Sequence, residues 1–217
     1  MFIAFTGVKQ AGKTTSFEII KDIYPEAIEI TLAAKLKDVC SQVFEIPRKY
    51  FDDQNIKEKE LLQPAYLSRE NIEAVIRGFG YTPDFEKHVR AHIGLILHTP
   101  RQIAQYIGTE VLRVIDNDIH CIGATQGLPE EGIFVVTDMR FPNEFAYFQT
   151  TQTEFFKPFY ISNRQAESAL NSNSHSSETS VLEIAKKCTT IDNNGSLADF
   201  RKNVTEAISA LLMESAG

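Results

Sequence analysis

A chain of 217 residues, 43% hydrophobic and 24% charged, is long enough for a substantial core and reads as one soluble domain, or one domain with an insertion. Its net charge of −7, with no sustained Lys/Arg stripe, speaks against a dedicated nucleic-acid binder but not against small anionic ligands, which a few placed cations can hold. Cys40, Cys121 and Cys188 form no C-x-x-C pair and read as reduced thiols; with no secretory signal and no membrane-length apolar run, a cytoplasmic protein without membrane partners is expected.

Residues 2–6 read as a buried strand and 13–24 as a helix with Phe17, Ile20 and Tyr24 on one face. "AIEI" at 27–30 is a second strand. A helix follows, with Leu32, Leu36, Val39, Cys40, Val43 and Phe44 at helical spacing, and Pro47 stops it. From about 46 to 98 the pattern is polar and broken, with a helix near 68–78, and reads as a helical insertion within a single domain. Thr99-Pro100 caps and opens a long helix. "GIFVVTD" at 132–138 suits a central parallel strand, and Pro142 opens another helix. Residues 154–162 read as a strand that Pro158 weakens, and 163–178, rich in Ser and Asn, as a mobile loop. A helix at 178–187, a strand at "TTID" and a closing helix through Leu211 follow. Alternating strands and helices predict an α/β fold with a mostly parallel sheet covered on both faces.

The opening stretch "MFIAFTGVKQAGKTTSFEII" carries G-x-x-x-x-G-K-[ST] between a strand and a helix. Gly7 and Gly12 let backbone N–H groups approach phosphate oxygens, and the helix adds its unpaired donors and the positive end of its dipole. Lys13 would reach the β/γ phosphates and the Thr14 hydroxyl would ligate Mg²⁺. Chance yields the pattern in about one chain in a hundred of this length. No N-K-x-D guanine motif is present, and the persuasive strand-ending acid, Asp138, comes late. This architecture fits a small-molecule kinase better than a GTPase or a motor.

Arg101, Gln105, Thr109 and Arg113 recur every four residues after Pro100, near one helix face that also carries Gly108. Either something approaches the backbone closely at Gly108, or the face is solvated and the glycine serves packing. In "VVTDMRFPNE", Asp138 ends a strand, where open parallel sheets place their ligands, with Arg140 and Glu144 just beyond. Phosphoryl transfer needs an acid beside Mg²⁺ and a cation on the transferring charge. Arg164 opens the Ser/Asn-rich loop as a lid arginine or a solvated charge, and His175 with Ser176, Ser177 and Glu178 could cap the next helix.

Taken together, "GVKQAGKTT", "LAAKLKD", "TPRQIAQYIGTEVLR", "VVTDMRFPNE", "SHSSE" and "IDNNGSL" resemble the bacteriophage deoxynucleoside monophosphate kinase family, in its order and across nearly the whole chain. The resemblance implies a P-loop kinase fold with a five-stranded sheet, a helical acceptor-binding insertion and a lid at about 163–178. It implies that Gly7, Lys9, Ala11, Gly12, Lys13, Thr14 and Thr15 serve ATP·Mg²⁺, with Asn193 near the adenine. Thr14 and Asp138 would hold the metal. Arg101, Gln105, Gly108 and Thr109 would hold the acceptor, and Lys13, Asp138, Arg140, Glu144 and Arg164 would be catalytic. Two departures stand out: Gln105 replaces an arginine common in the family, and the chain has no tryptophan, so that His120 becomes the substitute stacking surface for the base. The expected reaction moves the ATP γ-phosphate to a deoxynucleoside 5′-monophosphate, with a homodimer left open. The alternatives are another small-metabolite P-loop kinase, resembling dephospho-coenzyme A kinase, and a regulatory ATP-binding module that transfers nothing.

Overall fold

A computed structural model of the chain describes residues 1–152, 155–169 and 176–215. In chain order, β1 (Phe2–Thr6), α1 (Lys13–Ile23) and β2 (Ile28–Ile30) come first. They are followed by α2 (Ala34–Val43), α3 (Lys49–Asp52), β3 (Ala65–Tyr66), α4 (Arg69–Gly78), β4 (Ile96–Leu97), α5 (Pro100–Tyr106), α6 (Arg113–Ile115) and α7 (Ile119–Thr125). The chain continues as β5 (Phe134–Val136), α8 (Pro142–Thr151), β6 (Phe156–Ser162), α9 (Arg164–Ser168), α10 (Ser176–Ala185), β7 (Thr189–Asp192) and α11 (Leu197–Ser215). Met1–Thr31 with Gly127–Gly217 form one compact unit and Leu32–Gln126 a second.

The first unit is an α/β layer structure. Its sheet has the order β2-β5-β1-β6-β7, and every pairing is parallel. Buried on both faces, β1 reads as the continuous run FIAFT, with Ile3, Ala4 and Phe5 wholly inaccessible. Helix α1 buries Ser16, Ile19 and Ile20, the spacing of one helix face. Phe159, Ile161, Val181, Ile191, Phe200, Val204 and Ile208 join the same core.

Three expectations about this unit need revision. The strand foreseen over 132–138 is only Phe134–Val136, the three residues that pair with β2 on one side and with β1 on the other. Pro158 proves compatible with β6, since β7 joins that strand only from Phe159 onward and the missing N–H falls ahead of the ladder on that side. The stretch from 163, read as loop, contains α9, capped by the Asn163 side chain accepting from Ala166 N at 2.9 Å. His175 lies outside the described residues.

The second unit is mainly helical, with the small antiparallel sheet β3-β4. It is wider than the stretch 46–98, because α2, α5 and the turn after α5 share one core with that stretch. Leu36, Val39 and Cys40 pack with Ile72, Val75, Ile76, Ile103, Ile107 and Leu112. Helix α2 ends before Pro47 is reached. Glu45 turns left-handed at φ 54°, and Ile46 N–H bonds back to Ser41 O at 3.1 Å, which closes the helix with a Schellman-type turn. The long helix from Pro100 is likewise not one α-helix: Ile107–Leu112 widens into π geometry, with Arg113 N–H bonded to Gly108 O. Among the described residues, no helix is long and apolar enough to cross a membrane. The three cysteines are free thiols, and burial pushes Cys40 and Cys188 up to about 12.

Candidate nucleotide and acceptor sites

The phosphate loop joins β1 to α1. Gly7 is required by space, since a Cβ there would lie 3.0 Å from Ile161 O. Gly12 is required twice: its φ is 112°, in the left-handed region, and a Cβ would lie 2.6 Å from Asn193 Nδ2. Gln10 is left-handed too, at φ 65°. Lys13 opens α1, and its ammonium donates to Gly7 O at 2.6 Å and Val8 O at 2.7 Å. The ammonium is thereby folded over the loop's own carbonyls. Ala11 is wholly buried, Lys9 and Thr14 are exposed, and Thr15 is half-buried beside the buried Ser16.

These residues fit a nucleotide phosphate. A glycine cradle that side chains would fill leads into an 11-residue helix that opens on a lysine and whose first N–H groups have no acceptor within the helix. Thr14 and the half-buried Asp138 offer oxygen ligands of the kind Mg²⁺ takes, with phosphate oxygens and water completing its shell.

Asp138 and Arg140 follow the C-terminal end of β5, both half-buried, with Met139 between them wholly buried as an anchor. Glu144 is a correction. The residue is 3% exposed, and its carboxylate accepts from Arg140 N at 2.7 Å and Phe141 N at 3.0 Å. It therefore caps α8 as the third residue of that helix and fixes the turn carrying Arg140, rather than facing a substrate. Pro at the first helical position and Glu at the third were a readable sign of that cap. Sequence reasoning also missed Thr137, whose buried hydroxyl donates to Glu29 Oε1 at 2.7 Å across β5 and β2.

Asn193 departs furthest from expectation. Its amide donates to Ala11 O at 2.7 Å, so the side chain is committed to the phosphate loop instead of an adenine. Arg164 is exposed on the first turn of α9, and its backbone N–H donates to Asn194 Oδ1 at 2.8 Å.

In the helical unit, Arg101 is ion-paired with Glu58, and its backbone N–H bonds to Lys57 O at 3.0 Å. Glu58 gave no sequence signal, since it lies in a polar stretch 43 residues upstream. Gln105 and Thr109 are exposed and Arg113 is half-buried. A four-residue step overshoots an α-helical turn by about 40°. The wider π turns take up part of that drift and keep the later members of the row nearer the face of Arg101.

Gly108 and His120 are both corrected. The close approach at Gly108 comes from its own core, where a Cβ would stand 2.9 Å from Leu36 Cδ2. His120 is 6% exposed, with Nε2 3.1 Å from Gly108 O and its ring edge-on to Phe79, so it offers no open face to a base. Burial, helped by the nearby Arg113 charge and opposed by the Gly108 hydrogen bond, drives its pKa down to about 4. The imidazole is neutral, with Nε2–H as the donor and Nδ1 left as a buried acceptor lacking a partner in the structure.

No protein-family model and no curated protein matches the chain. Among solved structures, a dephospho-CoA kinase from Campylobacter jejuni aligns at 14% identity and a TM-score of 0.46, over 97% of this chain and 96% of that one. TT1252 from Thermus thermophilus aligns at 17% identity and a TM-score of 0.41, over 100% of this chain and 98% of that one. Neither is described as a deoxynucleoside monophosphate kinase, and similarity this low concerns the general course of the chain alone.

Proposed function

We propose that the chain is an ATP-dependent phosphotransferase acting on a small metabolite. One observation carries this reading. At the end of β1, a loop with glycines at two positions that exclude a Cβ delivers Lys13 and Thr14 on the first turn of α1, with the Lys13 ammonium held over the loop's carbonyls. A loop of this kind, with its lysine and hydroxyl, suits a polyphosphate with its metal. Within this reading, a deoxynucleoside 5′-monophosphate is the acceptor that the sequence blocks suggest, with Arg101, Gln105 and Thr109 as the candidate contacts. A dephospho-coenzyme A-like acceptor, phosphorylated on a hydroxyl, is the second reading; it is the substrate class named for the Campylobacter jejuni protein.

ATP·Mg²⁺ would supply the phosphoryl group and the divalent charge. The chain's own residues position and neutralise. Lys13 would exchange its two carbonyl partners for phosphate oxygens, and the N–H groups at the start of α1 would hold the same anion. Arg140, on a turn fixed by the Glu144 carboxylate, places positive charge at the carboxyl end of the sheet. Asp138 and Thr14 would give oxygen ligands to the metal. No covalent enzyme intermediate is required.

The test is ADP release from ATP·Mg²⁺ with dAMP, dCMP, dGMP, dTMP, the four ribonucleotides and dephospho-coenzyme A as acceptors. A deoxynucleotide-selective response supports the first acceptor reading, and a response to dephospho-coenzyme A alone replaces it with the second. ATP binding without transfer to any of them would leave the regulatory module.

A further inference from the structure

Resting on the nucleotide-binding reading above, we infer that Asn193 is a positioning residue that holds the phosphate loop and links its occupancy to the start of α9. The observations come from three segments far apart in sequence. The Asn193 amide donates to Ala11 O at 2.7 Å, and Nδ2 occupies the space a Cβ on Gly12 would need. Asn193 O accepts from Asn163 Nδ2 at 3.0 Å, and Asn163 is the residue whose side chain caps α9. Beside it, Asn194 Oδ1 accepts the Arg164 N–H at 2.8 Å. One dipeptide therefore grips the phosphate loop with one side chain and the first turn of α9 with a carbonyl and the other side chain.

The post itself is fixed. Asn193 N–H bonds to Ser162 O at 2.8 Å, Asn203 Nδ2 holds Asp192 O at 2.9 Å, and Asn194 Nδ2 folds back onto the Asp192 carboxylate. Ser196 and Asp199 close the start of α11 with reciprocal side-chain to backbone bonds of 3.2 and 3.0 Å. A carbonyl held by such a post cannot rotate freely. The peptide joining Ala11 to Gly12 carries the Ala11 carbonyl on one side and the Gly12 N–H on the other, so fixing the carbonyl also fixes that donor. Because the network joins two segments through hydrogen bonds, an anion that orders the loop should also order α9.

The experiment uses the full chain with ADP as probe, measuring affinity by calorimetry and amide exchange across residues 163–169. For wild type, ADP should slow exchange in α9 several-fold. Asn193→Asp keeps size and backbone bonds but cannot donate when ionised, so ADP affinity should fall about tenfold, as expected for a lost hydrogen bond beside a charged ligand, and α9 should no longer respond. Protonation restores an O–H donor, so the gap from wild type should narrow as the pH falls from about 6 toward about 4, the ordinary aspartate value, which a merely structural role would not produce. Asn194→Ala should keep ADP affinity and lose the α9 response. Asn193→Ser, whose hydroxyl is too short to span the gap, serves if the aspartate variant fails to fold. Wild-type affinity and an intact α9 response in the Asn193 variants would overturn the inference while leaving the nucleotide site standing. Failure of wild type to bind ADP or ATP would instead overturn the nucleotide reading, and the inference with it.

Discussion

Lys13 in the sheet unit and Arg101 in the helical unit are held by different means. In the sheet unit, backbone carbonyls position the functional groups: Lys13 on Gly7 and Val8, Asn193 on Ala11. In the helical unit, Arg101 is held by another side chain, the exposed carboxylate of Glu58. Gly7 and Val8 directly follow β1, so the carbonyls that hold Lys13 are tied to the end of a central strand. An exposed ion pair contributes little stability and is readily exchanged. On the proposed reading both cations trade partners for phosphate oxygens, Lys13 leaving carbonyls of a loop whose course Gly7 and Gly12 already set, and Arg101 leaving an exposed carboxylate.

The largest effect that would break this contrast is at Lys13. Lys13→Ala should lower turnover about 10²–10³-fold, the usual loss for one charged donor aimed at developing charge, in steady-state ADP release with the best acceptor. Near-normal turnover in that variant would remove the phosphate-loop assignment. Arg140→Ala should lower kcat much more than it raises KM, because its charge matters most as the phosphoryl group transfers. A pure KM effect would move Arg140 to ground-state binding.

Glu144→Ala should cost about 1–2 kcal/mol in urea unfolding, since it removes a helix cap and strips two backbone N–H groups of their acceptor. An unchanged midpoint would mean that water replaces the carboxylate without loss. The smallest effect belongs to the exposed pair. Glu58→Gln should change unfolding free energy by less than about 1 kcal/mol while lowering the acceptor KM by freeing Arg101. A raised KM would show instead that Glu58 holds Arg101 in its productive position.

His120 sharpens the comparison through pH. Its folded pKa, about 4, lies below the ordinary 6.5, so the unfolded chain binds a proton in that window and the folded chain does not. Its contribution to stability is therefore fully present above about 6.5 and is lost as the pH falls toward 4, by about 1.4 kcal/mol per pH unit. His120→Asn should flatten the wild-type decline in urea stability over that window. Parallel profiles would mean that the buried imidazole titrates normally.

Legibility followed the range of the interactions. The β1-loop-α1 unit could be read because strand burial, glycine spacing and helix periodicity are local, and the cap of α5 at Thr99-Pro100 was equally local. The π turn at Ile107–Leu112 could not be read, because a four-residue spacing of polar side chains looks the same on a straight helix. Gly108 is small because of Leu36, 72 residues away, and Asn193 finds Ala11 across 182 residues. Periodicity carries no trace of such partners. Glu144 is a different case: its cap pattern was visible, but the chemistry of a nearby Asp138 and Arg140 drew it into the catalytic set.

The most direct measurement follows labelled phosphate from [γ-³²P]ATP·Mg²⁺ to product with wild type and Lys13→Ala in parallel, over the same acceptors. The account predicts label on one small-metabolite acceptor with wild type and almost none with the variant. Equal labelling by both proteins, or no labelled acceptor from a wild-type protein that binds ATP, would contradict it.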